Sequence, residues 1–321
     1  MKQPLVTVGL PIYNRPEGLR NTLECFINQT YKNIEIIIAD NCSPNPEVEK
    51  IAKEYVLKDQ RISYYRHDSN KGWGFNTIFV IDRAKGKYFM RATDDDWWDN
   101  SFIEKMVDLF QSNSNIILAS SEFNYTDIDR NVLWNYGVKN HYEFLKKFST
   151  SNKNQNLKDY INQFEGFGKA SMYLGMYNIS VLKDNYIQDL LYNEDLMGDL
   201  LINLYCLING EISIHPDCLI NFTVGNPKFY KEDIINNNSI NLYFIKINYI
   251  KIISLFKKWN GYFSKIRKLI LKSKLNFRVK LYLLLVLFKR RFLFYYDLIT
   301  VNCDSLPFNL FYRIRRKYTL G

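Results

Sequence analysis

The chain has 321 residues, 47% of them hydrophobic and 24% charged, a balance that suits one large α/β domain or two smaller ones and excludes a disordered chain. Its formal charge of +10 is uneven: residues 240–321 carry 18 Lys and Arg against two acids, while the residues before them carry 25 basic and 31 acidic groups, so a strongly basic tail suited to nucleic acid or an anionic membrane surface follows an acidic-leaning body. Five scattered cysteines (Cys25, Cys42, Cys206, Cys218, Cys303) with no C-x-x-C pair, and three histidines (His67, His141, His215) without metal spacing, exclude a disulfide framework and a zinc site and suit reduced thiols in a cytosolic compartment.

Met1-Lys2-Gln3-Pro4 leads into a strand with no apolar signal segment. Leu5 to Leu10 reads as a buried strand ended by Pro11, and Pro11 to Pro16 as a turn. Glu17 to Gln29 is a helix with Leu19, Leu23, Phe26 and Ile27 on one face. Ile34 to Ala39 is a second strand, apolar enough for a parallel sheet covered on both sides. A helix from Pro46 to Leu57, a strand from Ile62 to Arg66 and a helix from Thr77 to Ala84 follow, and then the strand Gly86 to Met90. Ile116 to Ser120 is another strand. Asn131 to Asn156 reads as a polar insertion or acceptor-side loop, and Glu211 to Ile214 as a late strand after Gly210.

Thr93-Asp94-Asp95-Asp96-Trp97-Trp98 is the segment around which this pattern is organised. Three adjacent carboxylates at a strand end repel one another unless a cation or a ring of donors holds them, and Mg²⁺-type ions are shared between carboxylates and substrate phosphates. The alternative is an acidic turn leading into the helix Ser101 to Phe110, with Asp99 or Asn100 as its N-cap. Repeated strand, loop and helix predict a doubly wound, mostly parallel sheet, whose ligands sit outside the carboxyl ends of its strands. The polar stretches beginning at Pro11, Asp40, Asn70 and Asp94 all fall at that edge, which predicts a binding cleft.

In order along the chain, Val-Gly-Leu-Pro-Ile-Tyr-Asn-Arg, the helix end Asn-Gln-Thr, Ile-Ile-Ala-Asp-Asn-Cys-Ser, Asn-Lys-Gly and Gly-Lys-Tyr with Thr-Asp-Asp-Asp resemble the family 2 glycosyltransferases of bacterial surface-polysaccharide type, inverting enzymes of GT-A fold. The resemblance covers the first two thirds of the chain and places a GT-A domain over residues 1–238. It implies that the loop Pro11, Tyr13, Asn14 and Arg15, together with Asp40 and Asn41, holds the base and ribose of a nucleotide-diphosphate sugar, a UDP-sugar foremost. Which of Asp40 and Asn41 reads the base is open, because many relatives have Asp-Asp there. Asn70 and Gly72, in the loop that runs to Asn76, would lie near the ribose-diphosphate; an ordinary Gly-containing turn is the alternative.

The aspartates look like the family's metal-binding DxD, with Mg²⁺ or Mn²⁺ bridging carboxylates to diphosphate. Asp94 and Asp96 fit the literal spacing, whereas aligning the downstream Trp98 and Glu104-Lys105 makes Asp95 the main ligand. Gly166 to Tyr173 resembles the segment that precedes the general base. Relatives place an acid at a helix start with a glycine eleven positions on, and Asp199 with Gly210 has that spacing. Asp199 is thus the first candidate base and Asp195, of the Glu194-Asp195 pair, the second; a mere helix cap at Asp199 is the alternative.

Residues 239–321 lie outside the resemblance. Ile245 to Phe256 and Ile266 to Phe294 read as helices, the second with Ile266, Leu269, Ile270, Phe277, Leu281, Leu284 and Phe288 on one face. The apolar run Leu281 to Phe288 is too short to span a bilayer, and with Lys289-Arg290-Arg291 it reads as an interfacial membrane helix; a small helical subdomain is the other reading. The expectation is a metal-dependent inverting glycosyltransferase, cytoplasmic and peripheral on the inner face of the plasma membrane, acting on a glycan or undecaprenyl-linked acceptor. Its rivals are a nucleotidyltransferase, which would need a basic Gly-rich loop after the first strand, a non-catalytic sugar-binding protein, and a nucleic-acid-binding protein. No nucleic-acid module is recognisable, and the basic residues interleave with aliphatics, so no nucleic acid is expected as a partner.

Overall fold

Up to Arg91 the chain alternates strand and helix as its apolar periods predict: β1 (Val6–Ile12), α1 (Pro16–Ile27), β2 (Ile34–Asp40), α2 (Pro46–Lys58), β3 (Ile62–Arg66), α3 (Trp73–Arg83) and β4 (Tyr88–Arg91). The computed structural model describes residues 3–127, 129–135, 152–162, 171–193, 197–223 and 249–301. These four strands lie parallel in the order β3-β2-β1-β4. All of Val6 to Leu10 is buried, as a parallel strand covered on both faces requires.

Beyond Arg91 come β5 (Trp97–Trp98), α4 (Phe102–Ser112), β6 (Ile116–Thr126), β7 (Val132–Asn135), α5 (Lys153–Asn162), a 3-10 turn (Ser171–Leu174), β8 (Met176–Asn178), α6 (Ile179–Leu182), α7 (Asn185–Tyr192), α8 (Gly198–Asn209) and β9 (Glu211–Thr223). The same sheet continues as β4-β8-β6-β9-β5, with β7 paired to β6. Here β8 is antiparallel to both neighbours and β5 antiparallel to β9, while β6 and β9 are parallel. The sheet is therefore parallel in its first half and mixed in its second.

Several boundaries differ from the sequence expectation: α3 begins at Trp73 rather than Thr77, β6 runs on to Thr126 rather than ending at Ser120, and three further differences have a clear physical reason. Pro11 sits inside β1 and does not end it: β1 pairs with β4 only as far as Gly9, so beyond that point no ladder bond is asked of the residue lacking an N–H. The pair Trp97-Trp98 forms a short strand against Asn221 and Ile220. β9 runs past Ile214 to Thr223, because β6 offers partners as far as Thr126, and the ladder absorbs Pro216 at a register shift beside Glu122.

The aspartate segment is held in place by one stripe of α1. Gly18, Thr22 and Cys25 follow one another at four and three residues, so they share a helix face, and Gln29 follows two residues past the end of α1. Thr22 Oγ1 donates to the Thr93 carbonyl at 3.0 Å. Cys25 Sγ donates to the Trp98 carbonyl at 2.8 Å and accepts the Trp98 N–H at 3.3 Å. Gln29 Nε2 donates to the Asp99 carbonyl at 2.8 Å, and its Oε1 accepts the Ile103 N–H at 3.1 Å. Next to it, the Thr30 N–H donates to the Asn100 carbonyl and its hydroxyl to Glu104. This gives the Asn-Gln-Thr tripeptide a physical meaning: it satisfies the turn that begins α4. Asp99, offered as an N-cap, instead accepts the Ser101 N–H, one residue ahead of the helix.

A second polar centre knits the ends of β1, β2 and β3. The Asp40 carboxylate is fully buried. Its Oδ1 accepts the Ser43 N–H and hydroxyl at 2.8 and 2.5 Å, and its Oδ2 accepts Tyr64 Oη and Arg66 Nη1, both at 2.9 Å. Ser43 Oγ in turn accepts the Asn14 N–H. Asn41 donates to Asn70 Oδ1 and the Gly72 carbonyl and accepts the Lys71 N–H. Asn76 donates to the carbonyls of Ala39 and Ile12 and meets His67 Nε2 at 2.9 Å. The buried side chains of Asp40, Asn41 and Asn76 thereby find partners that burial would otherwise deny them.

The chain divides into two compact units, residues 1–235 and 236–321. In the second, α9 (Tyr249–Lys272) and α10 (Phe277–Val301) replace the single long helix expected to continue from Ile266 to Phe294. They break at Ser273–Asn276, where Asn276 Oδ1 accepts the Val279 N–H and so caps α10. Trp259 and Phe263 of α9 pack on Phe294 of α10, with ring centroids 4.3 and 5.7 Å apart. Ile266, Leu269 and Ile270 are buried, whereas Phe277, Leu281 and Phe288 are exposed. The break thus divides residues expected on a single face.

Two stability outcomes follow. A Gly→Ala change inside a helix ordinarily stabilises by ~1 kcal/mol, but a Cβ at Gly18 would overlap the Asp94 carbonyl oxygen. Gly18→Ala is therefore expected to destabilise by ~1–3 kcal/mol in urea unfolding; stabilisation would show that α1 does not press on this loop. Asp40→Ala is expected to cost ~3 kcal/mol, the low end for breaking a buried ion pair, because Arg66 keeps some solvent access. An unchanged unfolding midpoint would show that Asp40 does not organise these strand ends.

Candidate active site

The loops leaving β1, β2 and β4 share one edge of the sheet with the loop entering α3. Three residues of these loops have left-handed backbone: Asn14 (φ 59°), Cys42 (φ 62°) and Gly72 (φ 86°). Asn and Gly adopt this region readily, while a cysteine there is strained and held by its surroundings. Tyr13 and Arg15, on either side of Asn14, are exposed.

Arg15 and the aspartates come together. Arg15 Nη1 lies 2.5 Å from Asp95 Oδ2 and 3.3 Å from Asp94 Oδ1. The Asp95 side chain is 49% exposed and that of Asp94 only 12%. Burial pushes the Asp94 carboxyl up to about 6, even though Arg15 pulls it down. Asp96 turns elsewhere: its Oδ2 accepts the Thr93 hydroxyl at 2.8 Å and its Oδ1 the Thr223 N–H at 3.0 Å, which ties the segment to the end of β9. Burial, with Asp95 adding repulsion, pushes Asp96 up to about 6 as well. One cationic group thus sits where two carboxylates converge, while the third carboxylate serves the backbone.

Asp199 lies in the first turn of α8. Its Oδ1 accepts the Leu200 N–H at 2.8 Å. Burial pushes its carboxyl above the ordinary range, opposed by backbone N–H groups and by Arg91. Arg91, at the end of β4, also pulls down Asp96. Its guanidinium stands 5.9 Å from the Trp73 ring centroid and 5.3 Å from that of Tyr173. Its Nε is buried with no hydrogen-bond partner among the described residues. Asp195 and residues 166–170 lie outside the described residues.

Of the residues singled out from sequence, the structure brings together Arg15 with Asp94 and Asp95, and Asn14, Asp40, Asn41, Asn70 and Gly72 in the network of strand ends. Pro11 lies inside the neighbouring strand β1, one residue before its end. The side chains of Asp40 and Asn41 are buried and engaged by protein groups, so what they present at the edge is the shape of their loops. Sequence reading missed Arg91, Trp73, Tyr173 and Thr223. A cation closing a strand three residues before an acidic cluster, and an aromatic between two glycines in an edge loop, were the available signals for Arg91 and Trp73.

Residues 7–177, more than half of the chain, match the family described as Glycosyl transferase family 2. The uncharacterized glycosyltransferase MJ1057 of Methanocaldococcus jannaschii is 27% identical over 254 residues, covering 78% of this chain and 81% of that protein. Glycosyltransferase GlyG of Streptococcus pneumoniae is 31% identical over 128 residues, covering 40% of this chain and 42% of GlyG, so the chain spans less than half of that relative. Among solved structures, S. aureus TarS 1-349 superposes with a TM-score of 0.61 at 16% identity, over 90% of this chain and 72% of that one. The chain belongs to glycosyl transferase family 2 and is a glycosyltransferase of GT-A fold.

Proposed function

We propose that the enzyme catalyses inverting transfer of a sugar from a nucleotide-diphosphate donor, a UDP-sugar, to a glycan acceptor carried on an undecaprenyl-type lipid, at the inner face of the plasma membrane in surface-polysaccharide synthesis. The observation that carries the chemical part is Arg91, whose charge reaches both Asp96 of the acidic cluster and the raised carboxyl of Asp199. On this reading a donor-side and an acceptor-side carboxyl stand within the electrostatic reach of one cation. TarS 1-349 has been crystallised with UDP and with UDP-GlcNAc, which supports the choice of nucleotide. The basic tail supports the membrane placement.

Asp94 and Asp95 fit a hard divalent cation: they offer carboxylate oxygens, converge, and already hold a guanidinium. When bound, Mg²⁺ or Mn²⁺ supplies neutralisation of the charge gathered by the departing diphosphate. The chain's own residues do the rest. Asn14 and the loops that Asp40 and Asn41 shape take the base and ribose, with Tyr13, Asn70 and Gly72 at their border. The unpartnered Nε of Arg91 donates to an anionic oxygen of the donor. Asp199 takes the proton of the acceptor hydroxyl as its oxygen attacks the anomeric carbon from the face opposite the leaving diphosphate. Burial raises the basicity of Asp199 toward that task.

A panel of UDP-, GDP- and dTDP-sugars assayed for turnover with Mn²⁺ tests the donor; no turnover of any UDP-sugar overturns that choice. Asp199→Asn is expected to keep UDP binding and lose transfer by about 10²–10⁴-fold. If Asp195→Asn abolishes transfer and Asp199→Asn does not, the base is Asp195. Mn²⁺ binding, followed by paramagnetic resonance of the free ion, is expected to fail in Asp95→Asn. In Arg15→Gln it is expected to tighten by about two- to fivefold, since an exposed ion pair that competes for the same oxygens is removed. Unchanged Mn²⁺ affinity in both variants would remove the metal from this pair.

A further inference from the structure

α10 carries two apolar faces. Leu283, Val286, Leu287 and Phe294 are buried with Arg290. On the other side Phe277, Leu281, Leu285, Phe288 and Phe292 recur at intervals of four, four, three and four residues and are 50–78% exposed. At 3.6 residues per turn these five form one continuous stripe nearly opposite the buried face. The same geometry sets Arg278 and Lys289 along one border of the stripe and Lys280 and Arg291 along the other. Arg291 reaches Asn260 and Lys280 reaches the Leu271 carbonyl, which keeps both on the α9 side. No acidic residue lies between Phe277 and Phe294.

A helix surface this apolar and flanked by cations on both borders matches an anionic lipid surface. A second copy of the chain fits worse, because two such stripes laid together would bring cation border against cation border. Among the described residues no helix is long and apolar enough to cross a membrane, so α10 would lie along the surface. We propose that this stripe is the membrane-docking surface of the protein, its five apolar side chains entering the boundary of headgroups and acyl chains while Arg278 and Lys289 meet lipid phosphates and Lys280 and Arg291 add positive charge from the α9 side. It deepens, and rests on, the reading of the tail as membrane-associating; it is independent of the chemistry assigned to the aspartate edge.

The test is flotation of the full-length protein with vesicles of phosphatidylcholine alone and of phosphatidylcholine mixed with phosphatidylglycerol, at low and high salt. The protein is expected to float with the mixed vesicles at low salt, and less so with neutral vesicles or at high salt. Phe288→Ser/Phe292→Ser, both on the exposed side, should keep the thermal unfolding temperature and weaken vesicle binding about tenfold or more. Arg278→Gln/Lys289→Gln should weaken it about fivefold per cation. Lys257→Gln/Lys258→Gln, of equal charge but on α9, should weaken it less. The proposal is overturned if the parent stays in solution with anionic vesicles at low salt, if the double Phe variant floats as well as the parent, or if that variant instead converts a dimer to a monomer. UDP binding is expected to be equal in parent and variants. Its failure in the parent would count against the active-site reading alone.

Discussion

The acidic loop can exist where it does because α1 answers its backbone. A segment carrying three carboxylates would ordinarily be pulled toward water, yet Thr93, Trp98 and Asp99 must leave their carbonyls beside a helix. Thr22, Cys25 and Gln29 supply the missing donors, and Gly18 removes the side chain that would otherwise stand in the way. Burial pushes the Cys25 thiol up to about 11, which keeps it protonated as the donor this contact needs. Unpaired, each of these carbonyls would cost ~1–3 kcal/mol, enough in sum to move the loop. The placement of Asp94 and Asp95 is thus decided by uncharged side chains some seventy residues earlier in the chain.

Asp40 illustrates how a buried charge becomes an organiser. Taking a carboxylate out of water is costly unless its oxygens are fully engaged, and four donors from β3 and from the loop after β2 engage them. Satisfying the charge therefore ties together the ends of β2 and β3 and, through Ser43, the loop after β1. The left-handed backbone of Asn14 and the strain at Cys42 are maintained by the same bonds. A nucleotide arriving at this edge would find the loops already ordered, which lowers the entropy lost on binding.

The parallel half of the fold was legible because its periods are clean: Val6 to Leu10 and Ile34 to Ala39 are apolar runs bounded by turn residues, and the intervening helices show one apolar face. The second half was less legible. Trp97-Trp98 is too short to show a period, and β9 hides Pro216 at a shift in pairing that only the partner strand reveals. The acidic cluster, Arg15 and Asp199 stood out as residue types, but the contrast between Asp94 with Asp95 and Asp96 depends on Thr223, 127 residues away. For Asp40 and Asn41 the sequence supplied the edge but not the direction in which the side chains turn. In α10 apolar residues lie on both sides, so periodicity alone merged them with the buried residues of α9. Asn276 was the one local sign of the break.

The charges at the active edge constrain how the proposed ligands can arrive. Asp94 and Asp95 converge on Arg15, while Asp96 and Asp199 lie within the electrostatic reach of Arg91, so four carboxyls stand against two guanidinium groups, with fuller negative charge above the raised values of about 6 at Asp94 and Asp96. A diphosphate brought there alone adds like charge to a partly buried site, where repulsion is screened less than at an open surface. A divalent cation brought there alone must compete with Arg15 for the oxygens of Asp94 and Asp95. Together, each removes the other's obstacle: the diphosphate offers Arg15 a new anionic partner, and the cation offsets the diphosphate. Nucleotide and metal affinities are then coupled, and by linkage the factor by which one tightens the other is the same in both directions. Arg15, the cation of an exposed ion pair worth little to stability, is in this scheme the group through which that coupling passes.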